Sequence, residues 1–271
     1  MKPPVRTLLF IAHGTRNPKG LDEARTFARL VGRRVNSGRH PSGAWQTSTA
    51  FLELAEPDMA TGMERCAALG AEVVVLIPLF LFRAGHMKVD IPRAAEQFAR
   101  THPAIRVVML DAVAFNDVFL GVVAHKVRSA LGDGVKDTAL LLLGRGNRDS
   151  EAQAIFERMG EQLRRDFPAS QLFVGYLAGS GVAWRVALDD LARAGWRDIH
   201  IQPYLWFHGR LTDRLPLQVD EWRKRQPGVQ NVRIGEPLGV EAPLVADVAR
   251  RVSDALPEFE TPPGLQEMKS I

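Results

Sequence analysis

Short runs of consecutive apolar residues punctuate the chain. Each is followed by a loop and then by a stretch whose apolar positions fall three and four apart. Leu8-Leu9-Phe10-Ile11 is the first run, and Ala24, Ala28, Val31 and Val35 then recur at helical spacing, with Asp22 and Glu23 placed in the first turn. Four apolar residues in a row suit a strand covered on both faces, where an alternating pattern would mark a half-exposed one. The pattern predicts further strands at 46–51, 73–79 and 106–110, with helices opened by Pro57-Asp58, Asp90-Ile91-Pro92 and Asn116. It restarts after Gly132-Asp133-Gly134, with strands at 138–143, 172–176, 199–204 and 229–234. The helices of this second round run through Ala152 to Leu163, up to Gly195, from about Pro216, and from Glu241. Strands alternating with helices of this length predict an α/β fold of parallel sheets built from right-handed βαβ units.

The restart is an internal repeat. Residues 8–16, LLFIAHGTR, lie over 140–148, LLLLGRGNR, without a gap. Phe51-Leu52 lies over Tyr176-Leu177, and Pro78-Leu79-Phe80-Leu81-Phe82 over Pro203-Tyr204-Leu205-Trp206-Phe207. With one deletion, Gly85 and Pro92 reach Gly209 and Pro216. The expectation is two similar lobes facing each other, residues 1–132 and residues 133–256, followed by a disordered tail at 257–271.

Composition narrows the class. Of 271 residues 46% are hydrophobic and 24% charged, the balance of a globular protein. A single cysteine, Cys66, forms no intrachain disulfide and supplies no cluster, and it reads as a small buried helix residue in a reducing, cytoplasmic setting. The apolar run at 73–82 contains Pro78 and is far shorter than the ~18 residues of a membrane helix. The stretch before His13 is too short for a signal peptide. A net charge of +4 gives no reason to expect nucleic acid.

In open parallel sheets ligands bind at the carboxyl ends of the strands, so the loops after the first three strands are the candidates. They carry His13 and Arg16, then Glu53 and Glu56, then Arg83, Gly85, His86 and Lys88. Imidazoles with a carboxylate suit a borderline divalent metal. The glycine-rich nucleotide fingerprints, the nucleophile elbow and the His-Glu-x-x-His metal motif are all missing. His40, His102, His125 and His200 read as structural.

Three segments carry a resemblance: Ala12-His13-Gly14-Thr15-Arg16, the stretch Ala50 to Pro57 (AFLELAEP), and Pro78 to Pro92 (PLFLFRAGHMKVDIP). They are similar to the signature loops of the sirohydrochlorin chelatases, the CbiX/SirB type of class II tetrapyrrole chelatase, in its long two-domain form. The resemblance implies two four-stranded parallel lobes enclosing a cleft and insertion of a divalent metal into sirohydrochlorin, on the way to cobalamin or sirohaem, the long two-lobe form pointing to Co2+ ahead of Fe2+. It makes His13 and His86 the metal-holding pair, with His13 also the proton acceptor and Glu53 a relay. Thr15, Arg16, Leu81, Phe82, Arg83, Ala84 and Gly85 would line the substrate site, joined from the second lobe by Arg145, Arg148, His208 and Arg210. Arginine forks suit the carboxylates of such a substrate, and Arg214 belongs to the same set.

The second copy departs from the motif. Arg145 stands where His13 does, Ala178 where Glu53 does, and Arg210 where His86 does. The expectation is therefore one metal site, in the first lobe, with no tightly bound cofactor, no membrane or nucleic-acid partner, and a monomer sufficient for activity. A non-catalytic tetrapyrrole or metal carrier is the alternative.

Overall fold

The computed structural model describes residues 5–38, 44–112, 116–168 and 170–259. His40 and residues 260–271 of the expected tail lie outside them. Four strands, β1 (Val5–Ala12), β2 (Gln46–Phe51), β3 (Ala71–Pro78) and β4 (Arg106–Met109), form a parallel sheet in the order β2-β1-β3-β4. A second parallel sheet has the order β6-β5-β7-β8, from β5 (Ala139–Gly144), β6 (Leu172–Tyr176), β7 (Asp198–Tyr204) and β8 (Asn231–Ile234). The helices are α1 (Pro18–Ser37), α2 (Met59–Ala68), α3 (Asp90–Thr101), α4 (Asp117–Leu131), α5 (Ser150–Asp166), α6 (Trp184–Arg193), α7 (Arg210–Arg223) and α8 (Ala242–Ala255). None is long and apolar enough to cross a membrane.

The uninterrupted apolar runs are the central strands, covered on both faces. On β1, Leu9 and Ile11 pack with Met63 of α2 and with Ile91 and Phe98 of α3. On β5, Leu141 and Leu143 pack with Trp184 and Leu188 of α6 and with Leu215 and Trp222 of α7. Capping sets two helix starts that periodicity misplaces. The Asn17 side chain accepts from the backbone N–H groups of Lys19 (2.8 Å) and Gly20 (3.3 Å), so α1 begins at Pro18 and Asp22 and Glu23 fall beyond its first turn. The Thr212 hydroxyl accepts from the Gly209 N–H at 2.8 Å and α7 begins at Arg210, leaving Pro216 inside the helix rather than at its start.

The compact units do not follow the repeat. One contains the first sheet and α8, and the other contains α4 and the second sheet, dividing after residues 114 and 239. The expected boundary at Gly132 is thus a boundary between repeats, and Gly132–Asp137 is a short 3-10 helix. Right-handed crossovers put α1 on one face of the first sheet and α2 and α3 on the other. Each repeat supplies only one helix to the α1 side, and a second is needed to cover the sheet. In the first unit α8 packs against α1, and in the second α4 packs against α5. The two repeats have exchanged their last helices. The chain expected to be disordered from Pro257 first forms a 3-10 turn, Leu256–Phe259, with Phe259 buried under the Arg106 guanidinium.

One face of β7 carries a buried polar stripe, His200, Gln202 and Tyr204, where β3 and the residue after it have Val75, Ile77 and Leu79. Burial pushes the His200 imidazole below its ordinary 6.5; the hydrogen bond His200 Nε2–H donates to Gln202 Oε1 opposes this and the charge of Arg233 adds to it. Below 6.5 the unfolded chain therefore binds the proton that the folded chain refuses, and stability falls as pH drops. We expect the urea midpoint to decline from pH 7 to pH 5, and His200→Gln to flatten that decline. An identical slope in the variant would show that His200 does not contribute.

Candidate active site

The first sheet reverses its strand order between β1 and β3, and open α/β sheets bind ligands at the carboxyl ends of strands at such a switch point. His13 directly follows β1. After β3 the chain runs through Leu79–Ala84 into a 3-10 turn, Gly85–Met87, that carries His86. Met87 is fully buried and anchors this turn, while Val89 N–H donates to the Gly85 carbonyl at 3.1 Å and starts α3.

Backbone pairing brings the loops together. Beyond the ends of β1 and β2, Leu52 N–H donates to the Ala12 carbonyl and Glu53 N–H to the His13 carbonyl, each at 3.0 Å. Gly14, at φ +93°, makes this possible: a Cβ there would overlap the Glu53 carbonyl oxygen. The pairing sets the His13 and Glu53 side chains abreast, with Nδ1 3.2 Å from Oε1. His86 stands beside them, its ring centre 5.3 Å from that of His13 and nearly perpendicular to it at 77°. His86 Nδ1–H donates to Asp90 Oδ2 at 2.6 Å, and Phe80 packs 6.5 Å from the His13 ring.

The His86 Nδ1–H bond to Asp90 leaves the lone pair of His86 Nε2 for a ligand, whereas His13 Nδ1 lies near Glu53 without a hydrogen bond to it. An ion bonded at about 2.1 Å to an imidazole nitrogen sits about 3.2 Å from the ring centre. Ring centres 5.3 Å apart are within reach of one shared ion. Among the described residues no three or more His, Cys, Asp or Glu side chains gather as a metal cage.

The second unit repeats the backbone without the chemistry. Leu177 N–H donates to Gly144 O at 2.9 Å and Ala178 N–H to Arg145 O at 2.8 Å, and Gly146, at φ +90°, would overlap Ala178 O if it carried a Cβ. Arg145 therefore occupies the backbone position of His13, and Ala178 that of Glu53.

The structure groups His13, Glu53 and His86 and gives other predicted residues different surroundings. The Thr15 hydroxyl accepts from Asn17 N–H at 3.1 Å, a role in the turn. Arg16 is exposed; Leu81, Phe82 and Ala84 are half-buried and Gly85 exposed on the loop after β3. Arg83 lies 3.5 Å from Asp111. Arg145 and Arg148 are exposed on the loop after β5, whereas Arg210 and Arg214, expected on loops, project from α7. His208 is 15% exposed and holds Glu236 at 2.9 Å. Asp90 is the residue that sequence reasoning passed over as a helix start; its i, i+4 spacing from His86 was the available signal. Cys66 is buried, its thiol donating to the Gly62 carbonyl and pushed up to about 11 by burial. His102 pairs with Glu64 at 3.0 Å, and His125 sits on α4 near Ser129.

The CbiX family model matches residues 7–130 and 139–255, one match on each repeat. A sirohydrochlorin ferrochelatase of Bacillus subtilis (strain 168) is 27% identical over 224 residues, 83% of each chain. A sirohydrochlorin cobaltochelatase of Priestia megaterium is 25% identical over 233 residues, 83% of this chain and 72% of that one. The structure of SirB from Bacillus subtilis with Fe3+ superposes with a TM-score of 0.75 at 25% identity, covering 94% of this chain and 98% of that one.

The two glycine clamps provide a paired test. Gly14→Ala and Gly146→Ala should each destabilise the protein by about 2 kcal/mol or more, from the left-handed backbone and the overlap together. Only Gly14→Ala should also weaken Co2+ binding, read by titration calorimetry. Equal loss of metal affinity in both would show that the first clamp does not build the metal site.

Proposed function

This chain belongs to the CbiX family, and on that footing we propose that it is a sirohydrochlorin chelatase. It acts as a lyase-type enzyme that inserts a divalent metal, Co2+ or Fe2+, into sirohydrochlorin with release of two protons. The observation that carries the reading is the His13–His86 pair at the switch point, with Asp90 bonded to His86 and Glu53 3.2 Å from His13. In this reading the Nε2 atoms hold the incoming ion as cargo, and its remaining coordination positions are open to water and then to pyrrole nitrogens. As nitrogen–metal bonds form, two pyrrole N–H bonds break. As the ion leaves His13 for the pyrrole nitrogens the freed imidazole takes one of the two protons, which Glu53 nearby relays to solvent, and the other proton passes to bulk water. Glu53 is half exposed, which suits that exit.

Arg16 is an exposed cation on the first unit's loop after β1, and Arg145, Arg148 and Arg210 are exposed on the second unit, each of a kind that suits a carboxylate. Arg83 would have to release Asp111 to join them, and His208 to release Glu236. The two-lobe length does not favour cobalt over iron, because relatives named for each metal match across both repeats. Imidazole ligands follow the Irving–Williams order without separating the two, so supply of the ion selects between them.

A spectrophotometric insertion assay with sirohydrochlorin and Co2+, Fe2+ or Ni2+ tests the proposal. His13→Ala and His86→Ala should each lower kcat by about 100-fold or more with the fold intact by circular dichroism. Turnover retained in both would overturn the reading, and stoichiometric binding without turnover by the unaltered protein would identify a carrier instead. Arg145→Ala should raise KM for sirohydrochlorin about 10-fold with little change in kcat, as loss of one charge-assisted hydrogen bond predicts.

A further inference from the structure

We infer that Asp90 is a positioning residue for metal capture, acting through His86; this rests on the reading of His86 as a metal-holding residue. Asp90 opens α3, and an acid at a helix start is ordinarily explained by the helix dipole alone. Its carboxylate does more here. Oδ2 accepts from His86 Nδ1–H at 2.6 Å, at the short end of the range for a charge-assisted bond. A carboxylate only accepts, so this bond fixes the proton on Nδ1 and leaves the lone pair on Nε2. Without it the ring, 40% exposed on a three-residue turn, would divide between tautomers and orientations.

The repeat supplies a second, independent observation. Setting Gly209 on Gly85 and Pro216 on Pro92 puts Arg210 at the place of His86 and Arg214 at the place of Asp90. In the other loop pair Arg145 replaces His13 and Ala178 replaces Glu53. Where the second copy lost an imidazole it also lost that imidazole's carboxylate, in both instances. The dipole of α7 is served by Asp213 in its first turn, and Arg214 stands further in, so the comparison bears on the histidine's partner and leaves the dipole role of Asp90 in place beside it. The first unit therefore sets a carboxylate beside each imidazole, hydrogen-bonded at His86–Asp90 and only close, at 3.2 Å, at His13–Glu53. Glu53 is joined to His13 through paired backbone, whereas Asp90 reaches His86 within one continuous turn.

The test uses the full-length protein, with Co2+ alone as the probe, followed by calorimetry and by the visible absorption of the bound ion. Asp90→Ala should weaken Co2+ binding by 10- to 100-fold, the usual loss when the partner of a metal-bound histidine is removed. Asp90→Glu should restore part of it. In the insertion assay the same variant should raise KM for the metal while KM for sirohydrochlorin stays within about twofold of the unaltered protein's. Nitrogen-15 NMR of the metal-free protein at fixed pH should show His86 protonated at Nδ1, and a mixture of tautomers in Asp90→Ala. A purely structural role would lower Tm without moving the tautomer. Unchanged Co2+ affinity in Asp90→Ala, with affinity lost in His86→Ala, would overturn the role of Asp90 alone. Unchanged affinity in His86→Ala would overturn the metal reading of His86, and the role of Asp90 with it. An Nε2-protonated His86 in the unaltered protein would likewise overturn the inference.

Discussion

Two backbone hydrogen bonds past the ends of β1 and β2 govern everything at the site. They carry strand pairing one residue beyond the sheet, from Leu52 to Ala12 and from Glu53 to His13. Side chains that are forty residues apart in sequence are thereby held in register. The demand this makes on the chain is steric: the residue after His13 must have no side chain, because the Glu53 carbonyl fills that space. Once the clamp is closed, His13 and Glu53 need no further interaction to find each other. The third loop then has only to bring one imidazole alongside, and it does so on a turn anchored by the buried Met87.

The same clamp in the second unit, with Arg145 and Ala178 at its tips, separates scaffold from chemistry. The backbone bonds, the left-handed glycine and the parallel bridge from Tyr176 to Ala183 all reproduce their counterparts in the first unit. Only the side chains at the tips differ, Arg145 standing for His13 and Ala178 for Glu53. Such changes cost the fold little, since the tips are exposed or half-buried and contribute nothing to either core. Leu54 shows the opposite case. It holds φ +63° beside Glu53, where the second copy has Gly179 at +77°, so the first unit tolerates a leucine in a backbone conformation that glycine adopts without strain.

Much of this was legible in the sequence for identifiable reasons. Buried parallel strands are apolar on both faces, so Leu8–Ile11, Val73–Leu79 and Leu140–Leu143 stand out without reference to neighbours. His13, Glu53 and His86 could be named because they lie on loops at strand ends, where the topology points. Helix starts were less legible at α1 and α7, because a single side-chain cap from Asn17 or Thr212 outweighs periodicity. The surroundings of Arg83 and His208 were hidden, since Asp111 and Glu236 come from the ends of other strands. Asp90 was hidden differently. Its helix-start position offered a sufficient explanation, and only the 2.6 Å bond shows that explanation to be incomplete.

The exchange of last helices gives the duplication a meaning that sequence alignment alone does not convey. A chain holding a single repeat would present the apolar flank of α1 with no fourth helix to cover it, and would have a fourth helix with no sheet of its own to cover. Two such chains could satisfy each other by trading helices, and joining them end to end would preserve the trade while making it intramolecular. By the same reasoning, the seam at Gly132, where the sequence starts over, is the wrong place to cut. Severing it would leave each fragment with a sheet lacking a covering helix and a helix lacking its sheet, so that neither half inherits a complete core.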